Sequence, residues 1–219
     1  MSEWVRWHEA YDEGGQLALR LEVVQSMIRS ALDRCRPGPI QIIGMCAGDG
    51  RDLLGVLEDH PRRRDVHARL VELDPELANR GRAHAAVVAP GVEVVCGDAS
   101  TTSAHAGAVP ADIVLVCGVF GNIRDEDVQH TIQCLPALCA PDATVIWTRG
   151  TFAPDLTPTI REWFTTRGFS ELAFVAIPNT TAAVGSDRLT SEPQAFVPDV
   201  SLFTFLARDR RPSQRGVRL

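Results

Sequence analysis

Apolar positions along the chain recur first with a helical and then with a strand-like period. Residues 16–34, "QLALRLEVVQSMIRSALDR", place apolar side chains at 17, 19, 21, 23, 24, 27, 28, 31 and 32. Much of that set follows the i, i+3, i+4 spacing of an amphipathic helix, and "RPGP" at 36–39 ends it. Short apolar runs then alternate with helical stretches. "IQIIGM" (40–45), "VHARLVEL" (66–73), "GVEVVCGD" (91–98), the run within "ADIVLVCGVF" (111–120) and "DATVIWTR" (142–149) predict five strands. The fourth is apolar without alternation, as a strand buried on both faces should be.

The helices between them carry start signals. Asp49 and Asp52 have the spacing of an N-cap and its N3 partner for a helix over 50–59. Asp74 followed by Pro75 opens the next one. "RDEDVQHTIQCLPALC" (124–139) is acidic in its first turn, and Thr157 with Pro158 starts the last helix. "ELAFVAI" (171–177) and "VSLFTFLA" (200–207) predict the final two strands. The 22 residues between them, 178–199, show no clear pattern and read as a long loop. Strand–helix alternation at this spacing predicts one α/β domain over 1–219: a doubly wound, mostly parallel seven-stranded sheet with helices on both faces.

Composition narrows the chemistry. All 22 basic residues are arginine, so a P-loop lysine, a Schiff-base lysine and a Tyr-x-x-x-Lys pair are excluded. The net charge of −6 disfavours a nucleic-acid partner. One basic stretch stands apart: 208–219 holds five arginines and one acid, and reads as a flexible, solvated tail. No run of about 18 apolar residues predicts a membrane span. The start of the chain lacks a secretion signal, so the expected location is the cytoplasm. Six cysteines without a CxxC pair argue against a disulfide framework, and no Cys/His spacing suits a metal.

In open α/β sheets ligands bind beyond the carboxyl ends of the strands, so the first β–α turn, "GMCAGDGRD", is the place to look. A dinucleotide fingerprint needs glycines at n, n+2 and n+5. From Gly44 those positions hold Gly44, Cys46 and Asp49, and the aspartate would repel a pyrophosphate. A ligand without phosphates fits better.

Here the sequence resembles the class I S-adenosylmethionine (SAM)-dependent methyltransferases, whose first motif runs acid-x-Gly-x-Gly-x-Gly. Laid on this chain it meets Ile42, Gly44, Cys46 and Gly48, so the acid and the middle glycine are missing. The later motifs fall at matching elements over roughly 35–207. The resemblance implies a Rossmann-like fold with an antiparallel last strand and an N-terminal helical lid (1–34), SAM as cofactor and S-adenosylhomocysteine as product. It implies cofactor contacts from Gly44, Cys46, Ala47 and Gly48 in the turn. Glu72, with Leu73 beside it, would bind the ribose hydroxyls. Asp98 and Ala99 would take the adenine, and Cys117 and Gly118 the methionine end. "CAGDGRD", "CGVFGN" and "VIWTRG" also look like a set of actinobacterial methyltransferases.

Methyl transfer asks the protein for alignment, desolvation and sometimes a base. In "WVRWHEAYDEGG", His8 is a candidate general base and Tyr11 a candidate for orienting the nucleophile. Trp7 would face the substrate, although Trp4 and Trp7 could equally staple the first helix to the body. Asn122 would position the nucleophile or shape its turn. Arg149 would bind an anionic group or pair with an acid, and Arg188 is a further substrate candidate. The expected activity is metal-independent methylation of an O, N or C atom of a small molecule, by a monomer or homodimer, in secondary metabolism. The alternatives are a SAM-binding protein with another reaction, or a non-catalytic nucleotide-binding interaction module.

Overall fold

The computed structural model describes residues 15–206. Helix α1 (Gln16–Arg34) precedes an alternating series: β1 (Ile40–Met45), α2 (Arg51–Leu57), β2 (Val66–Glu72), α3 (Pro75–Val88), β3 (Val92–Cys96), β4 (Ala111–Val116), α4 (Asp125–Cys134), β5 (Cys139–Gly150), α5 (Thr157–Thr166), β6 (Phe169–Ala176) and β7 (Ala182–Leu189). The seven strands form one sheet in the order β3-β2-β1-β4-β5-β7-β6. The first five are parallel, while β7 lies antiparallel between β5 and β6.

The centre of the sheet is buried on both faces, as its unbroken apolar runs require. Along β1 the alternation sends Ile42 into the core beneath α1, α2 and α3, with Leu32, Leu54 and Leu70. Ile43 goes the other way, to the core under α4 and α5 with Val114, Trp147 and Phe164. At the start of β1, Gln41 N–H donates to the Asp112 carboxylate at 2.7 Å. That places Asp112 at the amino ends of the strands, away from the turns at their carboxyl ends.

Two predicted elements change. The last strand is not 200–207, where only single bridges form, Thr101 with Ser201 and Ile123 with Phe205. It is β7, inside the stretch that reads as a patternless loop. Its middle, "GSD", is polar in composition but buried, and the aspartate finds its partner within the core. Asp187 accepts the Trp147 indole N–H at 2.8 Å. Gly185 makes room for the same ring, since a Cβ there would lie 2.2 Å from it. The second change is at α2, whose N-cap is Gly50 with φ +77°, not Asp49.

Residues 197–206 instead form a strap across the carboxyl ends of β3 and β4. Thr102 N–H donates to Val200 O (2.9 Å), Leu202 N–H to Ser100 O (2.7 Å) and Leu206 N–H to Asn122 O (2.8 Å). Thr131 Oγ1 on α4 donates to Leu202 O at 2.9 Å. Asp74 caps α3 as its sequence predicts, accepting from Glu76 N–H and Leu77 N–H, whereas the N-cap of α5 is Leu156 and Thr157 is its first helical residue. No helix among the described residues is long and apolar enough to cross a membrane.

Candidate functional site

A cavity of about 470 Å³ opens at the carboxyl ends of β1, β2, β3 and β4. That size and position suit a small-molecule site in an open α/β sheet. Its floor is the turn after β1. Cys46 (φ +53°), Gly48 (φ +60°) and Gly50 (φ +77°) all take the left-handed conformation. Cysteine thus stands in backbone geometry that favours glycine, at a cost of about 1 kcal/mol. The turn is held by Ala47 N–H donating to Val71 O (3.0 Å) and by Gly50 N–H donating to Ala47 O (2.9 Å). Cys46 and Ala47 line the cavity. Gly44 lies below it in β1, where an added Cβ would come within 2.7 Å of Leu70, so its smallness serves strand packing.

Glu72 ends β2 and is 8% exposed. Its Oε2 accepts Gly48 N–H at 2.7 Å, and its Oε1 accepts Asp74 N–H at 2.8 Å. One carboxylate therefore joins the turn after β1 to the turn after β2. A carboxylate has about four acceptor positions, so capacity remains for two hydroxyl donors. Gly48 itself acts through this bond and not as a wall of the cavity. Beside it Leu73 lines the cavity while 69% exposed, an apolar surface fitted to a flat ligand group.

Asp98 and Ala99, just beyond the end of β3, line the cavity. Asp98 Oδ1 accepts Ser100 N–H at 2.8 Å, which fixes the carboxylate's orientation. Behind Ala99, fully buried His105 points Nε2 at Ala99 O (3.4 Å), and its Nδ1 has no partner. Burial holds this imidazole's pKa down at about 4, so it is neutral.

The fourth side comes from the end of β4. Gly118 N–H donates to Thr148 Oγ1 at 2.8 Å, and Asn122 Nδ2 donates to Gly118 O at 2.7 Å. Cys117, Gly118 and Asn122 all line the cavity. Burial, followed by the nearby Asp52 charge, pushes the Cys117 thiol well up; burial, then Glu72 and Asp98, does the same for Cys46. Both remain thiols, not nucleophilic thiolates.

The structure therefore gathers Cys46, Ala47, Glu72, Leu73, Asp98, Ala99, Cys117, Gly118 and Asn122 around one space. It keeps two candidates elsewhere. Arg149 is buried at the end of β5, donating to Phe120 O and pairing with Asp125 at 3.3 Å. Of its two expected roles, acid pairing is the one observed, and it does not line the cavity. Arg188 lies on β7 opposite Thr144, near the amino ends of the parallel strands. Its expected substrate role is corrected by this register: the site is at the other end of the sheet. Trp7, His8 and Tyr11, like the arginine-rich tail, lie outside the described residues.

Arg20, Arg51, Asp52 and Phe205 are among the lining residues that motif reasoning does not mark. Arg51 is clasped by Asp49, Nε to Oδ1 at 2.9 Å and Nη2 to Oδ2 at 2.6 Å. Phe205, 36% exposed, belongs to the strap and was expected in a strand. Arg20 carried a readable signal. It stands four residues before Val24 and so extends the buried stripe Val24, Ile28, Ala31 of α1 with a charge. Among the described residues no group of three or more His, Cys, Asp or Glu could hold a metal ion.

No protein-family profile matches the chain, and no curated protein matches it in sequence. Solved structures share its fold. One is the 1,6-didemethyltoxoflavin-N1-methyltransferase of Burkholderia thailandensis with 1,6-didemethyltoxoflavin and S-adenosylhomocysteine bound. It matches at 16% identity and TM-score 0.63, over 86% of this chain and 87% of that one. A second is the magnesium protoporphyrin IX methyltransferase of Synechocystis PCC 6803 with bound S-adenosylhomocysteine, at 12% identity and TM-score 0.63, over 84% and 93%. A third is the N-methyltransferase NodS of Bradyrhizobium japonicum, at 12% and 0.59, over 80% and 99%. At these identities the likeness is one of fold. The chain has the Rossmann-like fold of SAM-dependent methyltransferases, with its antiparallel strand inserted next to the last position.

Proposed function

We propose that this chain is a SAM-dependent methyltransferase acting on a small molecule. The observation that carries the reading is the Glu72 carboxylate. It is tied by backbone N–H groups of two different turns and set between Leu73 and the floor of the cavity. A buried acid so held presents remaining acceptors to a pair of hydroxyls, as a ribose offers. Leu73 gives an apolar face to a purine. Asp98 accepts its amino group, and Ala99 supplies backbone contact.

The residues present fit the cofactor better than a dinucleotide. The turn is flanked by Asp49 and Asp52, and the cavity is lined by four carboxylates. That surroundings repel a pyrophosphate and tolerate a cation. When bound, SAM supplies a methyl group already activated on a sulfonium, so in-line displacement by the acceptor needs alignment above all. In this reading Asn122, with its amide nitrogen committed to Gly118 O, offers Oδ1 to an N–H or O–H of the acceptor. It positions the nucleophile and does not deprotonate it. Phe205 forms an apolar wall that excludes water. His8 and Tyr11 remain the candidates for proton removal and orientation, and Trp7 for substrate contact. A net charge of −6 favours a small substrate over a nucleic acid. The neighbour crystallised with 1,6-didemethyltoxoflavin, and the one named as a magnesium protoporphyrin IX methyltransferase, support the same class.

Calorimetric titration with S-adenosylhomocysteine, and with NAD in parallel, tests this. Micromolar binding of the former alone is expected. Asp98→Asn keeps the acceptor for Ser100 N–H and replaces the other acceptor by a donor, so it should weaken binding about tenfold to a hundredfold. Failure of the wild-type protein to bind S-adenosylhomocysteine would overturn the reading.

A further inference from the structure

We propose that the groove between α1 and β6 is where a second copy of this chain docks, α1 of one protomer lying antiparallel to α1 of its partner. The groove holds about 540 Å³ and shares no lining residue with the ligand cavity. One wall is α1. Its residues Glu22, Ser26, Ser30 and Arg34 stand four apart, so they form a single ridge along the helix, and all four are exposed. The other wall is β6, the last strand of the sheet. Helix α1 packs over β7 and β5. That leaves Ala173 and Val175 of β6 half-buried and Leu172 37% exposed.

The order of charges along the ridge selects the occupant. Glu22 stands at one end and Arg34 at the other, with the small Ser26 and Ser30 between them. A two-fold axis passing between the serines turns the ridge end for end. It sets Glu22 against the partner's Arg34, Arg34 against the partner's Glu22, and serine against serine. The ridge is thus complementary to itself, as a two-fold interface requires. Serines at the crossing let two backbones approach closely, and i±4 ridges laid side by side are the commonest packing of helices. Like charges stay about 18 Å apart along the ridge, more than twice the screening length of about 8 Å at physiological salt. A parallel arrangement would instead oppose glutamate to glutamate and arginine to arginine.

Two further features favour this face over the free edge of the sheet. Strand β6 is bulged at Leu172, between the pairs Glu171–Asp187 and Ala173–Ser186. A bulge spoils the edge that strand-to-strand addition needs and turns the docking surface to the side of the sheet. On the floor of the groove, Ser186 is 2% exposed and its Oγ has no hydrogen-bond partner. A buried hydroxyl in that state is costly, and a polar group entering the groove relieves it.

Sedimentation velocity on the full chain, from micromolar to near-millimolar concentration, tests the proposal. Wild type is expected to form a dimer. Glu22→Arg sets arginine against arginine at both ends of the ridge, and Arg34→Glu sets glutamate against glutamate. Each should raise the dimer dissociation constant about tenfold to a hundredfold. The double variant Glu22→Arg/Arg34→Glu restores both pairs in reverse and should recover the wild-type dimer. Ser30→Trp, which blocks the close approach, should abolish it. Thermal melts check that each variant keeps the wild-type fold. A wild type that stays monomeric throughout overturns the proposal and leaves the groove to residues 1–14 of the same chain or to a different molecule. A dimer that both single reversals leave intact overturns it too, as does a double variant no tighter than the singles.

Discussion

The two halves of the sheet hold themselves together in opposite ways. At the carboxyl ends of β1 to β4 the ordering groups are backbone N–H donors and side-chain carboxylates. Gly48 and Asp74 bond to Glu72, and Ser100 bonds to Asp98. At β5, β7 and β6 they are aromatic faces. Trp147 is stacked on Phe164 with centroids 5.8 Å apart and tilted against Phe120 and Phe174 at 6.1 and 6.0 Å. The first half spends its polar groups on keeping a cavity open and acidic. The second half encloses its polar groups, Asp187 and Ser186, inside a filled core. The difference separates a region shaped for a ligand from a region that supports it, and it predicts that the two respond differently to mutation.

The largest effect is expected in the supporting half. Trp147→Ala should cost about 3–5 kcal/mol, the usual range for a buried aromatic. It also leaves buried Asp187 without its N–H donor. Urea denaturation should register this loss, while the folded fraction should bind S-adenosylhomocysteine as wild type does. A parallel loss of affinity would mean the halves are not separable. Next comes His105 behind Ala99. Its pKa is lowered from 6.5 to about 4 by burial, so the unfolded chain takes up a proton at higher pH than the folded one does. Its contribution is full above about pH 6.5 and is lost as pH falls through 4, a span worth on the order of 3 kcal/mol. Unfolding free energies measured at pH 7 and pH 4.5 should converge in His105→Leu relative to wild type. An unchanged acid dependence would refute the neutral assignment. The smallest effect is expected at the turn itself. Cys46→Gly removes the strain of φ +53° but loosens the unfolded chain. A net gain of about 0.5–1 kcal/mol, read as a rise in Tm, is expected. A drop would mean that the packing of the thiol outweighs the backbone strain.

The same contrast governs what the sequence reveals. In the parallel half β1 and β4 are mostly apolar runs, β2 and β3 alternate buried and exposed positions, and α3 carries its start signal, so β1 to β4 and the Asp74 cap are readable. The cavity residues follow, because turns after parallel strands converge on one edge. In the other half β7 is buried with glycine, serine and aspartate at its centre. Its order comes from Trp147, some 40 residues away, and nothing local announces it. The strap deceives in the reverse direction. "VSLFTFLA" alternates like a strand, yet its backbone is shared among Ser100, Thr102 and Asn122 and never joins the sheet. Arg20 stood in plain view as a charge on an apolar stripe, but only the fold shows that this end of the stripe lines the cavity. Arg188 failed for want of register: a strand position is far from or near a site according to which end of its neighbour it faces.

The strap also fixes when the cavity can exist during synthesis. Thr101 meets Ser201 across 100 positions of chain, and Phe205 reaches the wall that Asn122 supports. By the time residues 197–206 emerge, all seven strands have already been made. Contacts of such long sequence separation must wait for loop closure. The nascent protein can therefore assemble its sheet first and gain the Phe205 side of its cavity last, so the finished cavity is itself a sign that residues up to 206 have been made.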